Sequence, residues 1–305
     1  MLRARPRPWL TFAALAAVIA ALLWAIDSYR YRFVRSGRDL FRFVPQGDAT
    51  VFFVNVAILR RAGLLQTVAG ANKMEDAEYR AFVHETDLDY RRDIDAIAGG
   101  AQGGQIFFIV RGRFDWGKLR AYAASRGGAC TEAACEAPAS EAGRWASFVE
   151  IQPDTMALAL STDRNAAKAL LPPGHAVKEQ LPDRPIWARI SPSALKNPAD
   201  LPVALRIFAI SLEFANPVVL SLGPGDNNGF KLELDAQCAS AAMAATIRDQ
   251  LVLDTKMLTL ELTREHVQPN AADLTGLLTA GSFQAVDKRV VGTWPVRKQL
   301  LKALE

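Results

Sequence analysis

A charge-free apolar run of seventeen residues between two arginine clusters leaves the start of this chain few ways to fold. Arg3, Arg5 and Arg7 precede the run Leu10–Ile26, and Arg30, Arg32, Arg35, Arg38 and Arg42 follow it. Eight residues of the run are Leu, Ile, Val or Phe and seven are Ala. At roughly 0.3–0.6 kcal/mol per large apolar residue, insertion into a bilayer is favoured by about 2–5 kcal/mol with no charge to oppose it. As a helix the run is slightly short of a hydrocarbon core about 30 Å thick. Trp9 and Trp24 sit near its ends, and the flanking arginine stems can snorkel to close the gap. The expectation is one N-terminal transmembrane helix.

A cleaved secretory signal is the rival reading, since its n-region is equally basic. Signal cores run about 7–15 residues before turning polar, whereas here Val18-Ile19 and Leu22-Leu23-Trp24 carry the apolar stretch onward. Under either reading the rest of the chain crosses the membrane. Arginines flank the span on both sides, but a short tail before a long folded part favours the N-terminus inside. Ala13, Ala17, Ala21 and Ala25 recur at every fourth position, a spacing that lets two membrane helices approach and form a homodimer.

The basic pI belongs to this segment. Residues 1–42 hold eight Arg, no Lys and two acids, a net +6, and the whole chain is +4, so residues 43–305 carry −2. A near-neutral folded part lacks the footprint that phosphate backbones demand, and nucleic-acid binding is not expected. With half of all residues hydrophobic, that part is long and apolar enough to bury a core.

The expected fold is α+β: an N-terminal transmembrane helix, then two similar lobes of antiparallel sheet with helices packed on one face. The expected divisions are a tail and anchor at 1–28, a basic and aromatic connector at 29–43, one lobe at 44–172 and a second at 185–305. The Pro-rich stretch 171–185 separates the lobes. In the first, Thr50–Val56 reads as a strand, Ile58–Val68 and Asp76–Glu85 as helices, and Asp93–Ala98 with Gln105–Val110 as a hairpin turning at GGAQGG. Asp115 caps a helix over Trp116–Ser125, Trp145–Ile151 pairs with Thr155–Ser161, and Asp163 caps Arg164–Leu171. In the second, strands are expected at Ile186–Ser191, Arg206–Phe214, Pro217–Leu222 and Phe230–Ala236, the last with Lys231, Glu233 and Asp235 outward. A long helix over Ala239–Glu265 precedes a final strand pair and a short closing helix.

The stretches FVPQGDATVFFVNVAILRRAG, EYRAFVHETDLDYRRDIDAIA, GRFDWGKLRAYAASRGG and VVGTWPVRKQLLKAL resemble a group of uncharacterised bacterial proteins. The resemblance covers most of residues 43–305 and implies one membrane anchor in the cytoplasmic membrane with an extracytoplasmic α+β domain. It brings no activity and no site residues.

Chemistry is hard to assemble from what remains. Three histidines, His84, His175 and His266, lack metal-ligand spacing, and there is no G-x-S-x-G elbow or phosphate loop. No catalytic, cofactor or metal residue is expected. The acids Asp87, Asp89, Asp93 and Asp95 alternate with Arg91 and Arg92, which suggests an ion-paired strand edge. Cys130 and Cys135 flank a small-residue loop and suit a short disulfide, while Cys238 suits a buried thiol. Trp116, Trp145, Trp187 and Trp294 are either core residues or contacts for a ligand or partner. The function expected is a non-catalytic binding or envelope-organising module with an unknown envelope partner. The alternatives are an envelope hydrolase built from carboxylates that the fold assembles, and a carrier holding an apolar ligand between sheet and helices.

Overall fold

Period-two alternation in TVFFV and FKLELDAQ, against caps and longer periods elsewhere, builds a molecule of strands and covering helices. The computed structural model describes residues 38–45, 47–63, 65, 77–132, 134–171, 182–197, 203–225, 229–297 and 299–300. The run Leu10–Ile26 with Ala13, Ala17, Ala21 and Ala25 lies outside them, as do most of the Pro-rich stretch and the closing helix. No helix among the described residues is long and apolar enough to cross a membrane.

The first half runs β1 (Thr50–Val54), α2 (Val56–Arg61), α3 (Ala77–Thr86), α4 (Tyr90–Asp93), β2 (Ile94–Gln102), β3 (Gln105–Gly112), α5 (Trp116–Ser125), β4 (Ala129–Cys130), β5 (Cys135–Pro138), β6 (Trp145–Gln152) and β7 (Thr155–Ser161). A single turn, α1 (Arg38–Phe41), precedes it and a 3₁₀ turn, Ala166–Leu170, closes it. The second half runs β8 (Ile186–Ile190), α6 (Pro192–Lys196), α7 (Val203–Leu212), β9 (Val218–Pro224), β10 (Phe230–Gln237), α8 (Ala241–Arg264), α9 (Leu274–Leu278), β11 (Ser282–Val286) and β12 (Arg289–Val296).

The fold is α+β with one large antiparallel sheet. Where a sheet is expected for each lobe, twelve strands form one, in the order β11-β12-β10-β9-β8-β1-β2-β3-β7-β6-β5-β4. The seam is the antiparallel pair β1–β8, in which Val51 opposes Arg189 and Val54 opposes Ile186. Read outward from the seam, β1-β2-β3-β7-β6 and β8-β9-β10-β12-β11 follow the same course. Each half opens with a strand leading directly into a capped short helix. Asn55 accepts from the Ile58 N–H at 3.0 Å, and Ser191 from the Ala194 N–H at 3.2 Å.

Alternation settles which face each helix covers. Ile186 packs with Val54, Leu59, Leu88 and Leu119, and its same-face neighbours Ala188 and Ile190 pack with Phe208, Leu212, Ile247 and Leu251. Helices α2, α3 and α5–α9 therefore share one side of the sheet. The opposite side differs between halves. In the first it carries a second core, where Leu40, Phe41, Ala167 and Leu170 meet Phe53, Ile109 and Trp187, so one-face packing is incomplete there. In the second, no helix among the described residues covers it, and Lys231, Glu233 and Asp235 point to that side as expected. Glu233 pairs with Arg184 at 2.5 Å and Lys231 at 2.8 Å.

Several local expectations fail. Asp163 caps no α-helix: a 3₁₀ turn over Ala166–Leu170 stands there, and Asp163 accepts instead from the Asn165 N–H at 2.9 Å. Arg206–Phe214 is no strand: α7 spans Val203–Leu212, because Phe208, Ala209 and Leu212 place a helical stripe against the sheet. A run so uniformly apolar has no period that separates the two states. Asp93 is not on an exposed strand face either. It ends α4 and is buried, and the register shifts between Ile94 and Ala96.

Candidate functional site

The acidic stretch is where catalysis by carboxylates would have to be built. Asp89 caps α4 by accepting from the Arg91 N–H at 2.9 Å and receives the Tyr79 hydroxyl at 2.9 Å. The Arg91 guanidinium grips both of its oxygens, at 2.9 and 3.0 Å from Nε. Those bonds pull the Asp89 carboxyl down to about 2. Burial alone would raise Asp93, but Arg92 at 2.9 Å, the Asp89 N–H and Arg113 at 3.1 Å outweigh it, and its pKa is also lowered. Arg92 and Lys118 lower Asp87. A general acid at neutral pH needs the reverse direction. Ion pairs of the cluster join α4 to Arg113, just beyond β3, and reach Lys118 on α5 through Asp87, while the Tyr79 hydroxyl joins α3 to it.

An open cleft of about 460 Å³ lies where β8 meets α6, lined by Asp48, Arg189, Ser191 and Asn216. The Ser191 hydroxyl is engaged by its neighbours: Thr50 Oγ1 donates to Ser191 Oγ at 3.2 Å, and Ser191 Oγ lies 3.0 Å from Ser193 Oγ. No histidine lines it. Asp48 accepts from the Ser193 N–H at 3.3 Å and so acts as a structural acceptor. Among the described residues no group of three His, Cys, Asp or Glu side chains is placed to hold a metal ion. His84 and His266 are exposed and apart, and His175 lies outside the described residues.

The four tryptophans divide evenly. Trp187 is buried in a stack with Phe41, centroids 5.0 Å apart. Trp294 is buried edge-on to Phe283 at 5.2 Å and Phe208 at 5.9 Å. Trp116 and Trp145 are half-buried: one donates Nε1–H to Pro153 O at 3.2 Å, and the other lies 3.7 Å beneath the Arg164 guanidinium. Cys130 and Cys135 oppose each other across β4–β5 and are joined by a disulfide. Cys238 is a buried free thiol whose pKa burial pushes up.

What stands out physically is the outer surface of α7 and α8. Ser211 on α7 donates to Asp254 on α8 at 2.6 Å, and Gln250 secures the other oxygen at 3.1 Å. One residue before Ser211 and three after it, Ile210 and Phe214 face water at 69% and 68% exposure. On α8, Leu253, Met257 and Leu260 recur at i, i+4 and i+7 and are 49–63% exposed. The inward stripe of α8 is Ala244, Ile247, Leu251 and Thr255. Helix α8 thus has two apolar faces, and among the described residues only one is covered.

The molecule supplies its own control. In the first half α3 and α5 occupy the corresponding places, and Phe82 meets Tyr122 between them at 5.1 Å. Among the described residues, the eight large apolar side chains that are exposed, Ile210 through Val286, all lie in the second half. The architecture therefore does not require an apolar outer surface. Beneath α7 an apolar cavity of about 40 Å³ is bounded by Ile190, Leu195, Phe208, Leu212 and Trp294. That holds about one water molecule, far below the 300 Å³ or more of a typical ligand site. Sequence reasoning missed the outer stripe, although the spacing 253–257–260 was present to be found.

No family model and no curated protein matches the chain. Among solved structures it is similar to TP0453 in several crystal forms. Crystal form III aligns with a TM-score of 0.49 at 12% identity over 87% of this chain and 96% of that one. Crystal form I aligns at 0.45 and 11% over 87% and 96%.

Proposed function

We propose that this chain is a non-catalytic binding module, held to a bacterial cytoplasmic membrane by residues 10–26 and displayed on the extracytoplasmic side. On this reading the N-terminal segment is a transmembrane helix, and 44–172 and 185–305 are related lobes whose sheets have merged at β1–β8. The matching strand order from the seam outward supports the kinship of the lobes.

The observation that carries the reading is the uncovered stripe Ile210, Phe214, Leu253, Met257 and Leu260. Contiguous exposed apolar surface costs solubility, and a monomer keeps it where something binds. The hydrolase alternative is weakened by the downward shifts of Asp87, Asp89 and Asp93. The carrier alternative is weakened by the size of the cavity under α7.

Photo-crosslinking of the full chain in its own membrane tests the proposal. A probe at Met257 is expected to give discrete adducts, and one at Lys231 on the opposite sheet face none. Equal labelling at both positions overturns it. So does hydrolysis of a generic ester, glycan or peptide by the purified chain that one point substitution abolishes.

A further inference from the structure

We propose that the occupant of the uncovered face is a second copy of this chain, docked through an antiparallel pairing of α8 with its counterpart. This rests on the binding reading above and names its partner.

The register of α8 is self-complementary. Leu253 and Leu260 stand 3.5 residues on either side of a point between Lys256 and Met257, and Asp249 and Arg264 stand 7.5 residues on either side of the same point. A two-fold axis through that point sets Leu253 against Leu260 of the other copy, twice. It also sets Asp249 against the other copy's Arg264, twice. All four residues fall within about 60° of one line on the outer surface at 100° per residue. An isologous interface needs such self-complementarity, in which residue i meets j and j meets i. Within one copy Asp249 contacts Arg248 and Arg264 contacts Glu261, both outer side chains staying mostly in water at 69% and 82% exposure.

The charges around the stripe also select between occupants. Lys256 and Arg264 are balanced by Asp249 and Glu261, whereas a helix lying on an anionic bilayer is rich in Lys and Arg on its polar face. Ile210 and Phe214, beside the Ser211–Asp254 hydrogen bond, widen the apolar strip beyond what three α8 residues supply.

Cysteine crosslinking and charge reversal in the full-length chain test this together. Met257→Cys, next to the axis, is expected to form a disulfide-linked dimer under mild oxidation. Thr246→Cys is expected to form none, since its copies would stand about 31 Å apart along the helices. The native cysteines do not interfere, being bonded or buried. Asp249→Arg and Arg264→Asp should each weaken the dimer roughly tenfold, and the double reversal should recover it to within about twofold. Unchanged melting of each variant shows that the fold is intact.

A monomer at every concentration, equal crosslinking at 246 and 257, or no recovery in the double reversal overturns the proposal. Binding of the chain to phosphatidylcholine vesicles that Leu253→Ser abolishes, without a Met257→Cys dimer, overturns it in favour of a bilayer. In that case, or where Met257 captures another protein, the binding reading survives. Where nothing is captured at Met257, both fall.

Discussion

The ring of Phe52 on β1 occupies the space a side chain at Gly99 on β2 would need, with its Cζ 2.2 Å from the place of a Cβ. The two residues are direct partners in the register. Gly99→Ala must push the ring off its contacts, including the edge-on Phe108 at 5.9 Å. The expected cost is about 1–3 kcal/mol, read as a lower urea midpoint at an unchanged slope. Adding Phe52→Ala should make the two substitutions strongly non-additive.

Acid should loosen the α3–α4 junction first. The Asp89 carboxyl is held at about 2, below its value of roughly 3.9 in an unfolded chain. Its contribution is therefore fully present above pH 4 and lost as pH falls from about 4 to 2. Asp89 is shielded at 15% exposure but Arg91 is not at 41%, so screening reduces the contribution to about 1–2 kcal/mol. Asp89→Asn keeps an acceptor for the cap and removes the charge. Its stability is expected to fall short of the parent at pH 7 and to converge with it near pH 2.

Thiol counting checks the cysteine assignments. With Cys130 and Cys135 joined and Cys238 buried, the native chain should react with no thiol reagent. Unfolding without reductant should expose one thiol, and unfolding with reductant three. Replacing Cys130 and Cys135 by Ser should cost no more than about 2 kcal/mol, since the closed loop is short.

The two faces of α8 should respond differently to the same substitution. Leu251→Ala removes a fully buried side chain and is expected to cost about 2–5 kcal/mol. Leu260→Ala, mostly exposed, should leave the monomer within about 0.5 kcal/mol. Thermal melting of the full chain at low concentration separates them.

Elements whose signals are local were legible in the sequence. The Asp115 side chain accepts from the Lys118 N–H at 3.0 Å and starts α5, and the alternation of FKLELDAQ fixed which side of β10 meets water. Elements decided at long range were not. Gly99 and Gly100 look like turn residues, yet β2 runs through them in register with Phe52 and Val51 of β1, and at Gly99 the Phe52 ring leaves no room for a side chain. Nothing in the second segment announces that Ile186–Ile190 will pair with β1. The candidate site was hidden for a related reason: α8 is apolar on two sides, and only the packed sheet decides which one is inside.

The β1–β8 seam also governs the order in which the molecule becomes whole. Strand β1 ends at Val54, and β8 begins only at Ile186. During synthesis from the N-terminus, β1 can pair early with β2 while its other edge waits, hydrogen-bonding groups unmatched, for more than a hundred residues to emerge. Such waiting edges invite pairing with the wrong chain, and the distant closure predicts slow completion of folding. The centre of the finished sheet is the interval during biogenesis when this chain has most need of a chaperone.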